Sequence, residues 1–255
     1  MNPILIIRNL NLLAQLKGER IVVETDNIEL IKEIKDAVLV HNFLFCIIVR
    51  AEQMITKIAF KKEWKNIPLV IYPNGLGAID DLIAGLPLIK KLNVKFFLNG
   101  AKKENCKAVQ TLSSLGIYSG IVIDENADWE KLTGLMNYTL CEKVMHAPIE
   151  PFQFVYEMYN RNVLVDYGRV FFDDSEQFVG VDEAFFCTEK HRGVTEKHRE
   201  NRQRFFYEPT TCAACEGWRI CLGKYAALED KSGCQKFMAN LLIVVENLRF
   251  EIRNS

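Results

Sequence analysis

The first 145 or so residues alternate between short apolar runs and amphipathic stretches. The apolar runs are rich in β-branched and aromatic residues, as strands are. The stretches between them carry apolar residues three and four positions apart, which is the spacing of a helix face. Parallel strands need a crossover of a dozen or more residues, and that crossover is usually a helix. The alternation therefore predicts βαβ units and a parallel sheet.

We count about five strands in this region, with helices between them. The predicted strands are Ile21–Asp26, Phe43–Val49, Pro68–Pro73, Val94–Gly100 and Tyr118–Asp124. Asn27 is placed to cap the helix after the first of them, and Gly116 to end the helix before the last. A closed eight-stranded barrel needs roughly 200 residues or more, so we expect an α/β fold with an open parallel sheet or a partial (βα) barrel. We place a domain boundary near residue 150, which gives domains at 1–150 and 151–255.

The second half has a different pattern. PFQFVYEMY predicts a helix, residues 162–174 predict an antiparallel hairpin around Asp166-Tyr167-Gly168, and Cys234–Arg249 predict a final helix. The apolar face predicted for that last helix is Phe237, Leu241, Leu242, Val245 and Leu248. TEKHR occurs twice, and His191 and His198 would lie about 10 Å apart along a helix, which is too far for one metal ion. We interpret this repeat as a solvated basic segment, with docking of an acidic partner as the alternative.

Composition and charge exclude several classes of protein. The formal net charge is -1, which argues against nucleic-acid binding. No apolar run reaches the roughly 18 residues of a membrane span, so we expect no membrane insertion. The N-terminus has neither a basic n-region nor a small-residue cleavage site, which predicts a cytoplasmic protein in a reducing compartment. Disulfides are the poorer interpretation of its eight cysteines.

The cysteines fall into two groups. The first group is widely scattered: Cys46, Cys106 and Cys141 lie in strand-like or helix-like runs, and Cys187 lies further along the chain. We expect each of these four to be a small buried apolar residue. The segment TTCAACEGWRIC and the start of the last helix give the spacing Cys212-x2-Cys215-x5-Cys221-x12-Cys234. Four thiolates suit tetrahedral zinc or a 4Fe–4S cluster. Zinc usually takes two paired knuckles, and this segment has one pair and no histidine, so the spacing favours iron–sulfur over zinc.

The segment CAACEGWRICLGKY, followed by GCQ, resembles the SPASM extension of radical SAM peptide maturases. That extension carries a Cx2Cx5Cx3C run and one later cysteine. The resemblance implies that Cys212, Cys215, Cys221 and Cys234 ligate one 4Fe–4S cluster in a small α+β domain spanning 151–255. The alternating first half resembles a shortened radical SAM barrel in its pattern.

The chain also departs from that family. Tyr225 stands where the run has its fourth cysteine, and neither CxxxCxxC nor the Gly-Gly-Glu motif occurs. We therefore expect no S-adenosylmethionine and a degenerate, non-radical member of the family. The resemblance implies an accessory iron–sulfur pseudoenzyme of a peptide-modification system. It would bind a precursor peptide or a partner maturase and could transfer electrons.

Two alternatives come from other classes of protein. The first is a zinc-stabilised interaction module. The second is an enzyme whose site lies at the strand ends of the first domain, near Asn74, Asn99 or Asp124. The loop PNGLGAIDD lies in this region, but it lacks the third glycine of a dinucleotide fingerprint and the Gly-Lys-Ser/Thr of a phosphate loop. We interpret it as a turn.

Overall fold

The computed structural model describes residues 4–123, 126–142, 146–162, 178–180, 212, 214–221 and 231–254. Within them the chain is an α/β protein in which parallel strands alternate with helices. The strands are β1 Ile4–Ile7, β2 Arg20–Thr25, β3 Phe43–Arg50, β4 Leu69–Tyr72, β5 Lys95–Asn99, β6 Ser119–Val122, β7 Ile149–Glu150 and β8 Phe178–Gly180. The helices are α1 Ile31–Leu39, α2 Ile79–Leu92, α3 Lys103–Ser114, α4 Trp129–Leu140, α5 Phe152–Asn160, α6 Trp218–Cys221 and α7 Lys231–Asn254.

The sheet follows the order of the chain. Its strands are arranged β7-β6-β5-β4-β3-β2-β1-β8, and each described pair is parallel. From β1 to β7 the order never reverses. Because βαβ crossovers are right-handed, a sequential order places the connecting helices on one face of the sheet. We call this the helix face, since α1 packs on β3 and α3 packs on β5 and β6 there.

The central strands are made of nearly continuous apolar runs, because residues on both sides of the sheet are buried there. Four consecutive residues are buried in β2, Ile21–Glu24, and four in β3, Cys46–Val49. A strand buried on both faces reads as an unbroken apolar run rather than an alternating one. Trp64 and Phe96, both almost completely buried, extend the core beneath the helix face.

Local signals set the ends of the helices. The Asn27 side chain accepts a hydrogen bond from the Glu29 N–H (3.0 Å) at the short 3-10 turn that leads into α1. Asp128 caps α4 by accepting from the Lys131 N–H (3.1 Å). Gly116 has φ of 74° just after α3, a left-handed conformation that glycine adopts readily. The caps predicted at Asn27 and Gly116 are confirmed.

A row of residues crosses the opposite face of the sheet. In the strand register Arg50 lies beside Tyr72, and Phe97 beside Gly120. The rings of Tyr72 and Phe97 lie 5.9 Å apart. Gly120 leaves room for the Phe97 ring, because a Cβ there would stand 2.7 Å from a Phe97 ring carbon and 3.0 Å from Glu150 Cβ.

The last helix joins the rest of the protein through aromatic contacts. Phe237 of α7 lies 5.6 Å from the ring of Trp129 in α4 and 6.2 Å from the ring of Phe152 in α5. α7 begins before the predicted Cys234 and ends after the predicted Arg249. Of its predicted apolar face, Phe237, Leu241, Leu242 and Val245 are buried. The domain boundary near residue 150 stays a prediction.

All five predicted strands are present as β2 to β6. The sequence prediction missed β1, β7 and β8. α2 continues through Gly85 and Pro87 without a break. Both the predicted hairpin beyond Asn162 and the TEKHR repeat lie outside the described residues.

We predict opposite effects for two glycine-to-alanine substitutions. Gly120→Ala drives a methyl group into the Phe97 ring and should lower the free energy of unfolding by about 2 kcal/mol or more. Gly134→Ala is the matched control, since nothing lies within 4 Å of its Cβ position on α4 and alanine favours a helix by about 0.5–1 kcal/mol. Urea titrations of both variants check the signs. Equal effects would contradict the packing assigned to Gly120.

Candidate functional site

Polar side chains gather where the strands end. Since all the strands are parallel, their carboxyl ends share one edge of the sheet, which we call the carboxyl edge. Two cavities open there. The first, of about 400 Å³, is lined by Arg8, Glu24, Thr25, Asp26 and Arg50. The second, of about 550 Å³, is lined by Ala51, Glu52, Pro73, Asn74, Asn99 and Lys102. Arg50 and Ala51 are consecutive, so the cavities flank the end of β3.

A buried carboxylate organises the first cavity. The Glu24 side chain is only 9% exposed, and its Oε2 accepts from Arg8 Nε (2.8 Å) and pairs with Arg8 Nη2 (2.7 Å). Its Oε1 lies 3.8 Å from Arg50 Nη2. The Arg50 guanidinium in turn rests over the Tyr72 ring, 5.1 Å from its centroid. The two arginines are thus held at the ends of β1 and β3, with Glu24 between them.

The second cavity has a wall held by side-chain amides. Asn99 Oδ1 accepts from the Ala101 N–H (2.7 Å), and the Asn99 carbonyl accepts from Asn105 Nδ2 (2.9 Å). Lys102 Nζ donates to the Asn74 carbonyl (3.3 Å) and to the Asn74 side-chain oxygen. The side chain of Asn105 is buried, and its Oδ1 has no hydrogen-bond partner among the described residues.

The sequence pointed to part of this edge. Asn74 and Asn99, named for a site at the strand ends, line the same cavity, whereas Asp124 lies outside the described residues. The Pro73–Ala78 segment is a loop between β4 and α2, as the turn interpretation predicts. The sequence prediction missed Arg8, Glu24 and Arg50 as site residues. Each of them directly follows or ends an apolar run, and that position could have indicated a residue at a strand end.

The cysteine segment forms a tight turn. The Cys215 N–H donates to the Cys212 carbonyl (3.1 Å), and the Trp218 N–H donates to the Cys215 carbonyl (3.1 Å). Backbone N–H groups of Gly217 and Trp218 lie near the Cys215 sulfur and act on the pKa of its thiol. Burial raises the pKa of the Cys215 thiol, and the nearby Cys212 raises it further, while these two N–H groups oppose the rise. N–H groups directed at sulfur are suited to stabilising a thiolate.

This turn packs directly on α7. A Cβ at Gly217 would stand 2.6 Å from the Met238 carbonyl carbon and 2.9 Å from the Ala239 nitrogen, so the two backbones touch at this point. Cys234 precedes Met238 by one helical turn, and Cys221 follows Gly217 by one turn, with its N–H donating to the Gly217 carbonyl (3.0 Å). Both cysteines are buried. Each therefore lies one helical turn from the same contact.

The four thiols are not gathered into a closed ligand set. Across the described residues, which include all four cysteines, no three His, Cys, Asp or Glu side chains come together as a metal site. The donor types and the backbone around Cys215 suit a soft metal, and the packing at Gly217 brings the two cysteine-bearing segments into contact. The convergence of the four sulfurs stays a prediction.

The other described cysteines were predicted to be buried apolar residues. That is confirmed for Cys46 and Cys106, where burial raises the thiol pKa to about 12 and about 11. It is wrong for Cys141, which is exposed at the end of α4. Cys141 is the residue that follows α4, and its N–H donates to the Asn137 carbonyl (2.8 Å). Cys187 lies outside the described residues.

Glu150 is a buried carboxyl group on β7. It is 5% exposed, its Oε1 accepts from the Tyr118 hydroxyl (2.6 Å), and its Oε2 accepts from the Phe154 N–H (3.0 Å). Burial raises its pKa to about 7, and the two hydrogen bonds oppose that rise. The ammonium of Lys95, which lies 4.7 Å from the centroid of the Tyr118 ring, also opposes it. Glu150 therefore changes charge close to neutral pH.

The chain matches no protein-family model, no curated protein and no solved structure. Among the residues that the structure describes, no helix combines the length and the apolar character needed to cross a bilayer.

We predict that Glu150 makes stability depend on pH. Its folded-state pKa of about 7 lies above its ordinary value of 4.5, so the stability it contributes is complete below pH 4.5 and is lost as pH rises through 7. The loss should reach about 3 kcal/mol relative to Glu150→Gln, which has no such titration. Urea titrations across this window measure the difference, with Glu130→Gln, at an exposed position of α4, as the control. A difference that does not change with pH would contradict the assignment.

Proposed function

We propose that this protein is an accessory iron–sulfur protein of a peptide-modification system. Its first half would be a partial (βα) barrel, and residues 151–255 a SPASM-like domain. Cys212, Cys215, Cys221 and Cys234 would hold one 4Fe–4S cluster. The protein would work in the cytoplasm, where it would bind a precursor peptide or a partner radical SAM maturase, without binding S-adenosylmethionine itself.

One observation carries this proposal. The Cys212–Cys215 turn touches, through Gly217, the helix that carries Cys234, and two backbone N–H groups near its Cys215 sulfur lower the pKa of that thiol. Hydrogen bonds to sulfur stabilise thiolates and tune the potential of a cluster.

The residues around this turn would keep it in place. Arg219 Nη1 donates to Glu246 of α7 (3.3 Å), and the same carboxylate oxygen accepts from the Tyr159 hydroxyl of α5 (2.8 Å). Glu246 thereby links α5, α6 and α7. A cluster with four cysteine ligands leaves no iron position open, which suits a structural or electron-transfer role better than substrate activation.

The order of the strands supports the barrel part of the proposal. A sequential parallel sheet with its helices on one face is the way a (βα) barrel begins, whereas a doubly wound sheet reverses its strand order partway across. The sheet in this protein runs in chain order from β1 to β7. A shared fold does not establish a shared function, so the cysteine segment carries the functional argument.

We predict that the protein purified without oxygen contains about four irons and four sulfides per chain and absorbs near 400 nm. Cys215→Ser and Cys234→Ser should each remove most of the iron, because each deletes a ligand. Cys106→Ser, a buried cysteine far from the turn in the sequence, is the matched control and should retain it. Metal analysis and absorbance spectra measure the effect.

Zinc at about one per chain with no absorbance near 400 nm would overturn the iron–sulfur proposal and favour the zinc-stabilised module. Equal iron loss in Cys106→Ser would mean that unfolding, and not ligand loss, releases the metal. Circular dichroism of each variant separates these two cases.

We also predict that Gly217→Ala lowers metal content although every cysteine remains. Its methyl group would collide with the α7 backbone at Met238 and push the turn away from Cys234. The content should fall at least several-fold, while Gly134→Ala, which adds a methyl group in open space, should leave it unchanged. Normal metal loading in Gly217→Ala would show that the contact between the turn and α7 does not assemble the site.

A further inference from the structure

We propose that the carboxyl edge binds a small anionic molecule that also carries hydroxyl or amino groups. Arg8 and Arg50 would hold its phosphate or carboxylate group, and the side chains of the second cavity would hold its remaining polar groups. This site shares no residue with the four cysteines. It also goes beyond the accessory role proposed above, since neither the turn nor α7 forms any part of it.

The first argument is the state of the two arginines. Their side chains are 64% and 52% exposed, although Glu24 between them is 9% exposed. A buried carboxylate is costly unless it is paired, and a buried ion pair adds little net stability. Two exposed guanidiniums that line a cavity and pair with one buried carboxylate therefore suit ligand binding better than stabilisation of the fold.

The second argument is geometry. A guanidinium presents five N–H donors in a planar fork that matches the oxygens of a phosphate or carboxylate. Arg8 Nε donates to Glu24, Arg50 Nη2 lies 3.8 Å from Glu24 Oε1, and the Arg50 guanidinium lies 5.1 Å from the centroid of the Tyr72 ring. Arginines held in place in this way lose little conformational entropy when an anion binds.

The third argument concerns the rest of the ligand. Asp26 lines the first cavity and Glu52 the second, so a purely anionic ligand would meet carboxylates as well as arginines. A molecule with hydroxyl or amino groups would satisfy them, and Asn74 and Asn99 can both donate and accept hydrogen bonds. Cavities of about 400 and 550 Å³ on the two sides of β3 lie within the range typical of small-molecule sites.

The fourth argument is position. Parallel α/β sheets bind their ligands at the carboxyl ends of their strands, because the loops that carry polar side chains converge there. Next to this wall, Asn105 Oδ1 is a buried acceptor with no partner among the described residues. It lies 3.8 Å from the Cβ position of Gly75, beside Asn74.

Three sugar-like probes test the proposal on the full-length protein: ribose 5-phosphate, gluconate and glucose. They carry a phosphate, a carboxylate and no charge, respectively. At about 10 mM and constant ionic strength, ribose 5-phosphate or gluconate should raise the thermal unfolding midpoint by roughly 3–6 °C, and glucose should not. Whichever anion gives the larger shift identifies the preferred group.

Variants then assign the effect to the site. Arg50→Gln should weaken binding of the active probe at least about tenfold in calorimetry, since it removes one guanidinium. Lys102→Gln, at an exposed position, tests the second cavity without disturbing Glu24 and should weaken binding by a smaller factor. Arg20→Gln is the matched control, because Arg20 also lies over an aromatic ring, Phe45 at 5.3 Å, but at the amino end of β2.

No shift with either anion would overturn the proposal. Equal weakening in Arg20→Gln and Arg50→Gln would also overturn it, since the effect would then be a general response to charge. If Arg50→Gln fails to fold, Lys102→Gln decides the outcome: unchanged binding in that variant would contradict a ligand spanning both cavities. Metal content plays no part in these measurements, so failure here leaves the iron–sulfur proposal standing, and the reverse also holds.

Discussion

The common direction of the strands is the constraint on which the rest of this protein depends. Each parallel pair needs a crossover, right-handed crossovers in chain order place their helices on one face, and all carboxyl ends then share one edge. The central strands β2 and β3 each bury four consecutive residues, so both of their sides are covered. The same arrangement brings Arg8, Glu24 and Arg50 together, although they come from three different strands.

Two buried carboxyl groups, those of Glu24 and Glu150, are compensated in different ways. At the carboxyl edge Glu24 is paired with arginines, which compensates for its burial. Glu150, on β7, accepts hydrogen bonds from Tyr118 and Phe154, and the ammonium of Lys95 also lowers its pKa. Burial outweighs these contributions and raises the pKa of Glu150 to about 7.

The C-terminal helix α7 connects the helices α4 and α5 with the cysteine segment. Phe237 packs against α4 and α5, while Met238, the next residue, meets the turn that carries Cys215. One helix thus contacts the helices beside the sheet with one residue and the cysteine segment with its neighbour.

The sequence alone determined the class of fold and most of the regular elements. Apolar runs with helical stretches between them require parallel strands and crossovers, and β2 to β6 lie where the pattern placed them. Strand β7 was missed because two residues carry too little periodicity to recognise, and β1 was missed although it is as long as the predicted β4 and β6. The prediction for Cys141 was wrong because the burial of a residue just after a helix depends on its neighbours in space.

The sequence also predicted Asn74 and Asn99 as residues of a possible site, since polar residues that follow buried strands lie at the strand ends. Only the tertiary structure decided that Arg8 and Arg50 face each other across Glu24, because that proximity depends on strand order and register and not on spacing in the chain. It likewise decided that Gly217 touches Met238. Cysteine spacing determines which ligand sets are possible, but contacts between distant segments determine which segments meet.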